Sequence, residues 1–326
     1  MKLQRQVPQT PLRSGDIVEV RSASEIVATL DALGKRDGMP FMPEMISYVG
    51  RRFTVVRRVD KICDTIAATG SRRMHDTLYL EDIRCNGSHH GGCQAGCRIY
   101  WKEEWLRKVD GLEQPNGAQE PLEELQTIAH RGTRPCEEQG KDPHIWRCQA
   151  TEAFRASEPL KTSDLRQYWR EMTNGNFNPA RLMGLLIRGF FMELASRFGL
   201  LRPTPYRGLG KHQTSSGDLG GLKPGDFVRV RTPAEIAITL DGGGLNRGLS
   251  FDREMLPYCG RVLRVKDKVR RIIDDKTGRM LTIPKDCIIL EGAVCSGERS
   301  VGRWLCPREI HTYWRESWLQ KVEKAD

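Results

Sequence analysis

Two distant stretches of the chain begin with the same alternation of apolar and polar residues. Residues Gly15–Arg21 and Gly225–Arg231 both carry a Gly-Asp pair followed by apolar residues at alternate positions. Such alternation is typical of a strand with one buried face. Each stretch is followed by Ser-x-x-Glu or Thr-x-x-Glu, starting at Ser22 and Thr232, which is the capping box of a helix start. The pattern therefore predicts a strand and then a short helix at both places.

The similarity continues beyond this first helix. Residues Gly15–Arg51 align with Gly225–Arg261 without a gap, and about half of the positions are identical, which indicates two copies of one structural unit. Apolar runs that predict strands follow in both copies: Arg52–Val59 and Thr77–Leu80 in the first, then Val262–Val269, Met280–Ile283 and Cys287–Leu290 in the second. The two copies are thus expected to share one fold.

Short strands, glycine turns and one small helix are typical of a small, partly open β-barrel. The Gly-Asp-x-Val-x-Val that opens each copy, Gly15–Val20 and Gly225–Val230, resembles the first strand of SH3-like and KOW-type barrels. This resemblance implies an α+β fold with two repeated SH3-like small β-barrel units, each with a short helix, flanking a helical segment.

Composition and capping signals divide the rest of the chain. Residues 112–206 predict helices over Pro121–His130, Ile145–Ala156, Asp164–Thr173 and Pro179–Phe198. Residues 207–222 are rich in Gly, Ser and Lys, which indicates a flexible linker. The predicted domains are a first repeat with a cysteine cluster over 10–111, the helical segment over 112–206, the linker over 207–222 and a second repeat over 223–326.

The overall composition is typical of a soluble globular protein. The 326 residues suit two or three domains, and 29% of them are charged while 38% are hydrophobic. The most apolar stretch, Leu182–Phe198, carries Arg188 and Glu193, which are costly in a bilayer, so it predicts a buried helix and no membrane span. The polar N-terminus lacks the apolar core of a secretory signal, and a cytoplasmic protein is expected.

The net charge bears on the class of partner, and the cysteine content bears on the role of the thiols. A net charge of +10 agrees with a nucleic-acid partner, but the 52 basic and 42 acidic residues are interspersed, as on an ordinary solvated surface. Ten cysteines in a reducing compartment are expected to be thiols, metal ligands or redox groups rather than structural disulfides.

Three cysteines and two histidines share one glycine-rich loop: Cys85, Cys93, Cys97, His89 and His90. Thiolates are preferred ligands of zinc and of iron-sulfur clusters, and glycines allow the tight turns that direct them to one point. Cys63, on the preceding strand, is the candidate fourth ligand. His89 or His90 in place of one thiolate agrees equally well with the spacing. Cys136, His144 and Cys148 repeat the spacing of Cys85, Cys93 and Cys97, with seven and then three residues between them. They are further candidate ligands.

Residues Cys85–His89 read Cys-Asn-Gly-Ser-His and resemble the end of the CDGSH iron-sulfur motif, in which a Cys and the His four residues later hold one iron. The resemblance implies an iron-sulfur cluster held in part by Cys85 and His89. Asn86 replaces the Asp of the motif, and the paired cysteines upstream are absent, with only Cys63 in that direction. The expected cofactor is therefore zinc or an iron-sulfur cluster.

The second copy retains only part of the cysteine pattern. Cys295 and Cys306 stand where the first copy has Cys85 and Cys93, whereas Ile273 and Ile310 replace Cys63 and Cys97. The metal site is therefore expected in the first copy.

Both copies close with a Tyr-Trp pair and a second tryptophan four residues after the first: Trp101 and Trp105, then Trp314 and Trp318. Tryptophans among basic residues can stack on single-stranded nucleic acid or contact a partner protein. The alternative is that the repeated aromatic residues belong to the core.

The motifs favour a binding protein over an enzyme. The common hydrolase, phosphate-binding and zinc-protease signatures are absent from the sequence. The recurring Glu44 and Glu254 are expected to cap turns or to pair with Arg21 and Arg231. We expect a metal-stabilised tandem protein that binds nucleic acid or a partner protein. The alternative is an iron-sulfur redox protein or a metal-dependent accessory enzyme.

Overall fold

The structure is a computed structural model that describes residues 10–67, 70–114, 121–133, 145–200, 221–301 and 303–323. It is a mixed fold in which short helices connect several small antiparallel sheets. Within those ranges no sheet closes into a barrel. The predicted α and β content is therefore confirmed, whereas closed barrels are not observed.

The first repeat forms a five-stranded sheet with a separate hairpin beside it. Its elements are β1 (Ile17–Val20), α1 (Ala23–Val27), β2 (Lys35–Arg36), β3 (Met39–Pro40), a 3₁₀ helix (Pro43–Tyr48), β4 (Arg52–Arg58), β5 (Lys61–Cys63), β6 (Ser71–Arg73), β7 (Thr77–Leu80), β8 (Trp101–Lys102), a 3₁₀ helix (Glu103–Trp105) and β9 (Leu106–Lys108). The strand order of the main sheet is β8-β7-β4-β1-β9, and β5 pairs with β6. The predicted capping box is present, because Ser22 Oγ accepts a hydrogen bond from the Glu25 amide.

The middle segment contains a strand as well as helices. Its elements are α2 (Glu123–Thr133), α3 (Gln149–Glu152), β10 (Glu158–Leu160), α4 (Arg166–Thr173) and α5 (Pro179–Arg197). The helix predicted over Ile145–Ala156 is reduced to α3, and β10 pairs with β6 of the first repeat. Pro159 lacks the amide hydrogen that a helix interior needs, which favours the extended conformation there.

The second repeat has the same topology. Its elements are β11 (Phe227–Val230), α6 (Pro233–Ile238), β12 (Leu245–Asn246), β13 (Leu249–Ser250), a 3₁₀ helix (Arg253–Tyr258), β14 (Val262–Lys268), β15 (Arg271–Ile273), β16 (Met280–Thr282), β17 (Ile288–Leu290), a 3₁₀ helix (Glu316–Trp318) and β18 (Leu319–Val322). The sheet order is β17-β14-β11-β18. Val18 lies opposite Phe53 in the first sheet, and Val228 lies opposite Leu263 in the second. The two copies thus share register as well as strand order.

The closing tryptophans form part of the two cores. Trp101, Trp105, Trp314 and Trp318 are all 0% exposed. A fully buried indole cannot stack on a base, so the contact role that their spacing allowed is corrected to a core role. Each copy places one of them against a shared phenylalanine, as in the 5.2 Å edge contact of Trp105 with Phe41.

The middle segment completes the first core. Leu125 and Ala129 of α2 and Ala153 after α3 are buried in the same cluster as the first sheet. In the second repeat, Leu222 is buried in the core, while residues 207–220 of the predicted linker lie outside the described residues.

Helix α5 is largely exposed, contrary to the buried helix that its sequence predicts. Leu182 and Gly189 are its buried positions, and Gly189 packs so closely on Trp304 that a Cβ would lie 2.8 Å from the indole. None of the helices in the described parts of the chain combines the length and apolar content needed to cross a bilayer.

The two repeats exchange contacts through their cysteine loops. The Cys63 amide on β5 donates to Cys306 Sγ of the second repeat (3.1 Å). Conversely, the Ile273 amide on β15 donates to Cys93 Sγ of the first repeat (3.4 Å). Each hairpin therefore lies against the loop of the other copy, and this exchange determines which thiols meet.

Candidate metal centre

The loop after β7 is folded back tightly on itself. The Cys85 amide donates to the Cys97 carbonyl (2.8 Å), and the Gly87 carbonyl accepts from the His90 amide (3.0 Å). Gly87 has a φ of 68°, and a Cβ there would lie 2.0 Å from the Cys93 carbonyl oxygen. Only glycine fits this position, and the closure turns His90 inward.

Glu44 reaches the loop from the 3₁₀ helix Pro43–Tyr48. Its Oε1 accepts a hydrogen bond from the His89 amide (3.1 Å) and lies 2.7 Å from His90 Nδ1. Candidate ligand atoms of Glu44, Cys85 and His90 all lie within 4.8 Å of one another. Glu44 is 7% exposed and His90 is 1% exposed, so the group is shielded from solvent.

Burial affects the two acidic side chains of this cluster, Cys85 and Glu44, differently. Burial raises the pKa of the Cys85 thiol well above its ordinary value. Burial acts in the same direction on Glu44, but the hydrogen bond and charge of His90 outweigh it and lower the pKa of that carboxyl. Glu44 Oε2 is buried without a hydrogen-bond partner. A buried carboxylate oxygen left unpaired is costly, and a bound cation would remove that cost.

The second copy provides a comparison within the same chain. Glu254, the counterpart of Glu44, accepts through Oε2 from the amide (3.0 Å) and hydroxyl (2.7 Å) of Ser296. Its Oε1 accepts from the Arg299 amide (2.7 Å) and the Ser300 hydroxyl (2.9 Å). Asn86 and His90 stand where this copy has Ser296 and Ser300. The second carboxylate is therefore fully hydrogen-bonded, and the first is not.

The sequence-predicted ligands are dispersed. Across the described residues, Glu44, Cys85 and His90 form the only group of three or more such side chains with ligand atoms this close. Cys63 contacts Cys306, and Cys93 contacts the Ile273 amide. Cys97 is packed where burial raises the pKa of its thiol to about 12. The structure thus does not bring the four predicted thiols around one point.

His89 lies beside the cluster and not in it. It is exposed, and its ring centroid is 5.0 Å from that of His130. The histidine that faces Glu44 is His90. Of the six candidate ligands named from the sequence of the first repeat, Cys85 and His90 belong to the group, whereas Cys63, Cys93, Cys97 and His89 do not.

Sequence reasoning missed Glu44 as a ligand. Arg21 pairs with Glu25 (2.8 Å), and Arg231 pairs with Glu235 (3.6 Å), so the expectation that these arginines pair with Glu44 and Glu254 is wrong. The recurrence of Glu44 as Glu254 was the available signal. It indicated a shared structural task, which is to hold the loop that follows β7 or β17.

Comparison of the chain with protein-family models, with curated proteins and with solved structures found no match in any of the three. The resemblances to SH3-like units and to the CDGSH motif thus stay predictions. What can be inferred about function comes from the geometry of this chain.

Proposed function

We propose that this protein is a metal-stabilised binding protein in which Glu44, Cys85 and His90 hold a zinc ion. The observation that carries the proposal is the unpaired buried Oε2 of Glu44 beside a buried thiol and imidazole. The second copy supports it, because hydroxyl and amide groups satisfy the corresponding carboxylate there.

The donor set suits zinc. Zinc takes thiolate, imidazole and carboxylate ligands in tetrahedral sites, and three protein ligands leave one position open. A water molecule would take this position. An iron-sulfur cluster requires several cysteine ligands, and Cys85 is the single cysteine in the group. With one cysteine, this group does not favour the alternative of an iron-sulfur redox protein.

The ion would tie together two parts of the first repeat, and His90 would connect them to the middle segment. Glu44 belongs to a 3₁₀ helix, and Cys85 belongs to the loop after β7. His90 Nε2 lies 3.2 Å from the Arg147 carbonyl of the middle segment. Because metal binding contributes folding free energy directly, zinc would order the loop that also contacts the second repeat.

Of the two partner classes predicted, a protein is favoured over nucleic acid. The tryptophans that could have stacked on bases are buried. Helix α5 instead exposes a row of large apolar side chains, which is typical of a protein contact surface: Met183, Ile187, Phe190, Leu194 and Phe198. We therefore expect no stable complex with single-stranded or duplex nucleic acid at physiological salt in a mobility-shift assay. A specific complex under those conditions would contradict this choice.

The SH3-like character of each repeat and the cytoplasmic location belong to the same proposal. Both repeats use sheets of four or five strands with one register, which supports a shared small-sheet unit. All nine cysteines among the described residues are free thiols, which agrees with a reducing compartment.

Metal analysis of purified variants tests the proposal. The wild type is expected to contain one zinc per chain, and Cys85→Ser is expected to lose it because a hydroxyl is a poor zinc ligand. Cys295→Ser, the same change at the matching position of the second copy, is the control and should retain the metal. Wild-type protein without zinc, or Cys85→Ser with full zinc, would overturn the assignment.

A further variant separates this site from the four-thiol site that the sequence predicts. Cys63→Ser should retain zinc, because Cys63 lies against Cys306 and outside the group. Loss of zinc from this variant would favour the four-thiol site instead.

A further inference from the structure

We propose that Cys63 and Cys306 form a thiol–disulfide exchange site shared by the two repeats, which reacts with small disulfides that enter the cavity between them. This site is separate from the zinc site and uses neither Glu44 nor Cys85. It rests on a direct contact between the two cysteines, a buried arginine and a cavity that both cysteines line.

The two thiols belong to different copies and contact each other directly. Cys63 ends β5, and its amide donates to Cys306 Sγ at 3.1 Å. Cys63 is 7% exposed and Cys306 is 5% exposed. Such contact between two free thiols is the arrangement from which a disulfide can form.

A buried guanidinium lies beside the pair. Arg308 is 7% exposed, and it donates to Thr65 Oγ1 (2.9 Å) and to Asp275 Oδ2 (3.2 Å). The hydrogen bond from Cys306 lowers the pKa of Cys63 to about 6 against the effect of burial, and the charges of Arg308 and Arg303 act in the same direction. Burial and the neighbouring Cys63 raise the pKa of Cys306. These interactions favour the thiolate form at Cys63 over that at Cys306.

A cavity of about 200 Å³ is lined by both cysteines. Its lining includes Cys63, Cys306, Cys295, Arg303, Thr65 and His311. The cavity is partly open to solvent, so one arm of a small disulfide can enter. Apolar atoms dominate its wall, which suits an uncharged arm.

The exchange reaction needs no metal ion. The Cys63 thiolate attacks one sulfur of a small disulfide RSSR, so that a Cys63–SR bond forms and RS⁻ leaves. Cys306 then loses its proton and attacks Cys63 Sγ, which forms the Cys63–Cys306 bond and releases the second RS⁻. Overall, two protein thiols are oxidised to a disulfide and RSSR is reduced to two RSH.

The matching contact, in which the hairpin of the second copy meets the loop of the first copy, lacks a pair of thiols. Cys93, the counterpart of Cys306, contacts the Ile273 amide, so an isoleucine side chain stands where Cys63 stands in the first copy. Of these two matched contacts, one therefore brings two thiols together and the other holds a single thiol. This contrast provides an internal control for any thiol reagent.

The full-length protein is treated with bis(2-hydroxyethyl) disulfide at pH 7, and its peptides are mapped by mass spectrometry without reduction. The wild type is expected to form a Cys63–Cys306 disulfide and to release two equivalents of 2-mercaptoethanol. Cys306→Ser should trap the 2-hydroxyethyl group on Cys63 with one equivalent released. Cys63→Ser should react at least about tenfold more slowly at Cys306, because an ordinary thiol is only a few per cent ionised at this pH.

Cys287→Ser, which removes a buried thiol outside the cavity, is the control and should behave as the wild type. A mixed disulfide that persists on wild-type Cys63, or bonding of Cys63 to another cysteine, would overturn the proposal. So would a metal ion that is bound through Cys63, Cys295 and Cys306 and blocks the reaction. Zinc measured in the same samples should be unchanged, which keeps this outcome distinct from failure of the zinc site.

Discussion

Asn86 is the residue that most clearly separates the two copies at the candidate metal centre. Its Oδ1 accepts from the Ser88 amide (3.0 Å), and Ser296 Oγ accepts in the same way from the Glu298 amide (3.1 Å). The two side chains therefore stabilise the same turn. However, only the serine also donates to the neighbouring glutamate, whereas Glu44 Oε2 has no hydrogen-bond partner.

We expect Asn86→Ser to transfer the second-copy arrangement to the first. The new hydroxyl should satisfy Glu44 Oε2 and stabilise the metal-free protein by about 1 kcal/mol, and the competition should weaken zinc binding by about tenfold. Denaturation in the presence of a chelator and zinc competition titrations measure the two effects. The reverse change, Ser296→Asn, is the matched control and should destabilise the second copy. Unchanged zinc affinity in Asn86→Ser would argue against Glu44 as a ligand.

His311 makes stability depend on pH. Burial, with the charges of Arg84 and Lys266, lowers the pKa of His311 from 6.5 to about 4, and Lys266 Nζ lies 3.1 Å from its Nε2. Between these values the unfolded chain binds a proton that the folded chain does not bind. The free energy of unfolding therefore falls as the pH drops from about 6.5 to about 4.

His311→Gln is expected to remove this contribution to the pH dependence. Between pH 7 and pH 4 its free energy of unfolding should fall by about 1–3 kcal/mol less than that of the wild type. Urea denaturation at pH 7, 5.5 and 4 measures the slope. Equal slopes for His311→Gln and the wild type would contradict the prediction.

At the scale of elements, local signals were sufficient for most strands and helix starts. Thr232 caps α6 through the Glu235 amide, as the capping box predicts. Non-local effects determined the rest. β10 forms because β6 offers a strand edge, and α5 stays exposed although its composition is that of a buried helix. Periodicity within a segment carries no information on which neighbour will cover it.

Gly87 is the position on which the folding of the cysteine loop depends most. Gly87→Ala would place a methyl group against the Cys93 carbonyl and force a residue with a side chain into a left-handed φ. We expect a loss of at least about 2 kcal/mol in the free energy of unfolding together with loss of zinc. Gly92 also has a positive φ, but a Cβ there would meet no atom within 4 Å. Gly92→Ala should therefore lower the free energy of unfolding by less. Equal effects of the two changes in denaturant titrations would contradict this explanation.

At the scale of the whole molecule, the exchange of hairpins between repeats is what the sequence could not reveal. Cys63 meets Cys306 across 243 positions of the chain, whereas a repeat considered alone places Cys63 with Cys85, Cys93 and Cys97. The losses in the second copy, Ile273 and Ile310, indicated that only the first copy is complete. In the folded chain a cysteine of the first copy, Cys63, lies against a cysteine of the second copy, Cys306.

The exchanged arrangement predicts that a second dithiol can be introduced. Ile273→Cys should place a thiol beside Cys93, because the Ile273 amide already donates to Cys93 Sγ. Mild oxidation should then join residues 93 and 273, as mapped by mass spectrometry, without changing the gel-filtration volume. Ile310→Cys introduces a thiol at the other replaced position and serves as the control. Failure of residues 93 and 273 to pair would indicate that the hairpins are not exchanged in solution.

The zinc ligands of the wild-type protein provide the most direct test of the central claim, that Glu44, Cys85 and His90 bind one ion. X-ray absorption at the zinc edge should show one sulfur at about 2.3 Å, with nitrogen and oxygen ligands at about 2.0–2.2 Å. A shell of four sulfurs, or iron in place of zinc, would contradict the account.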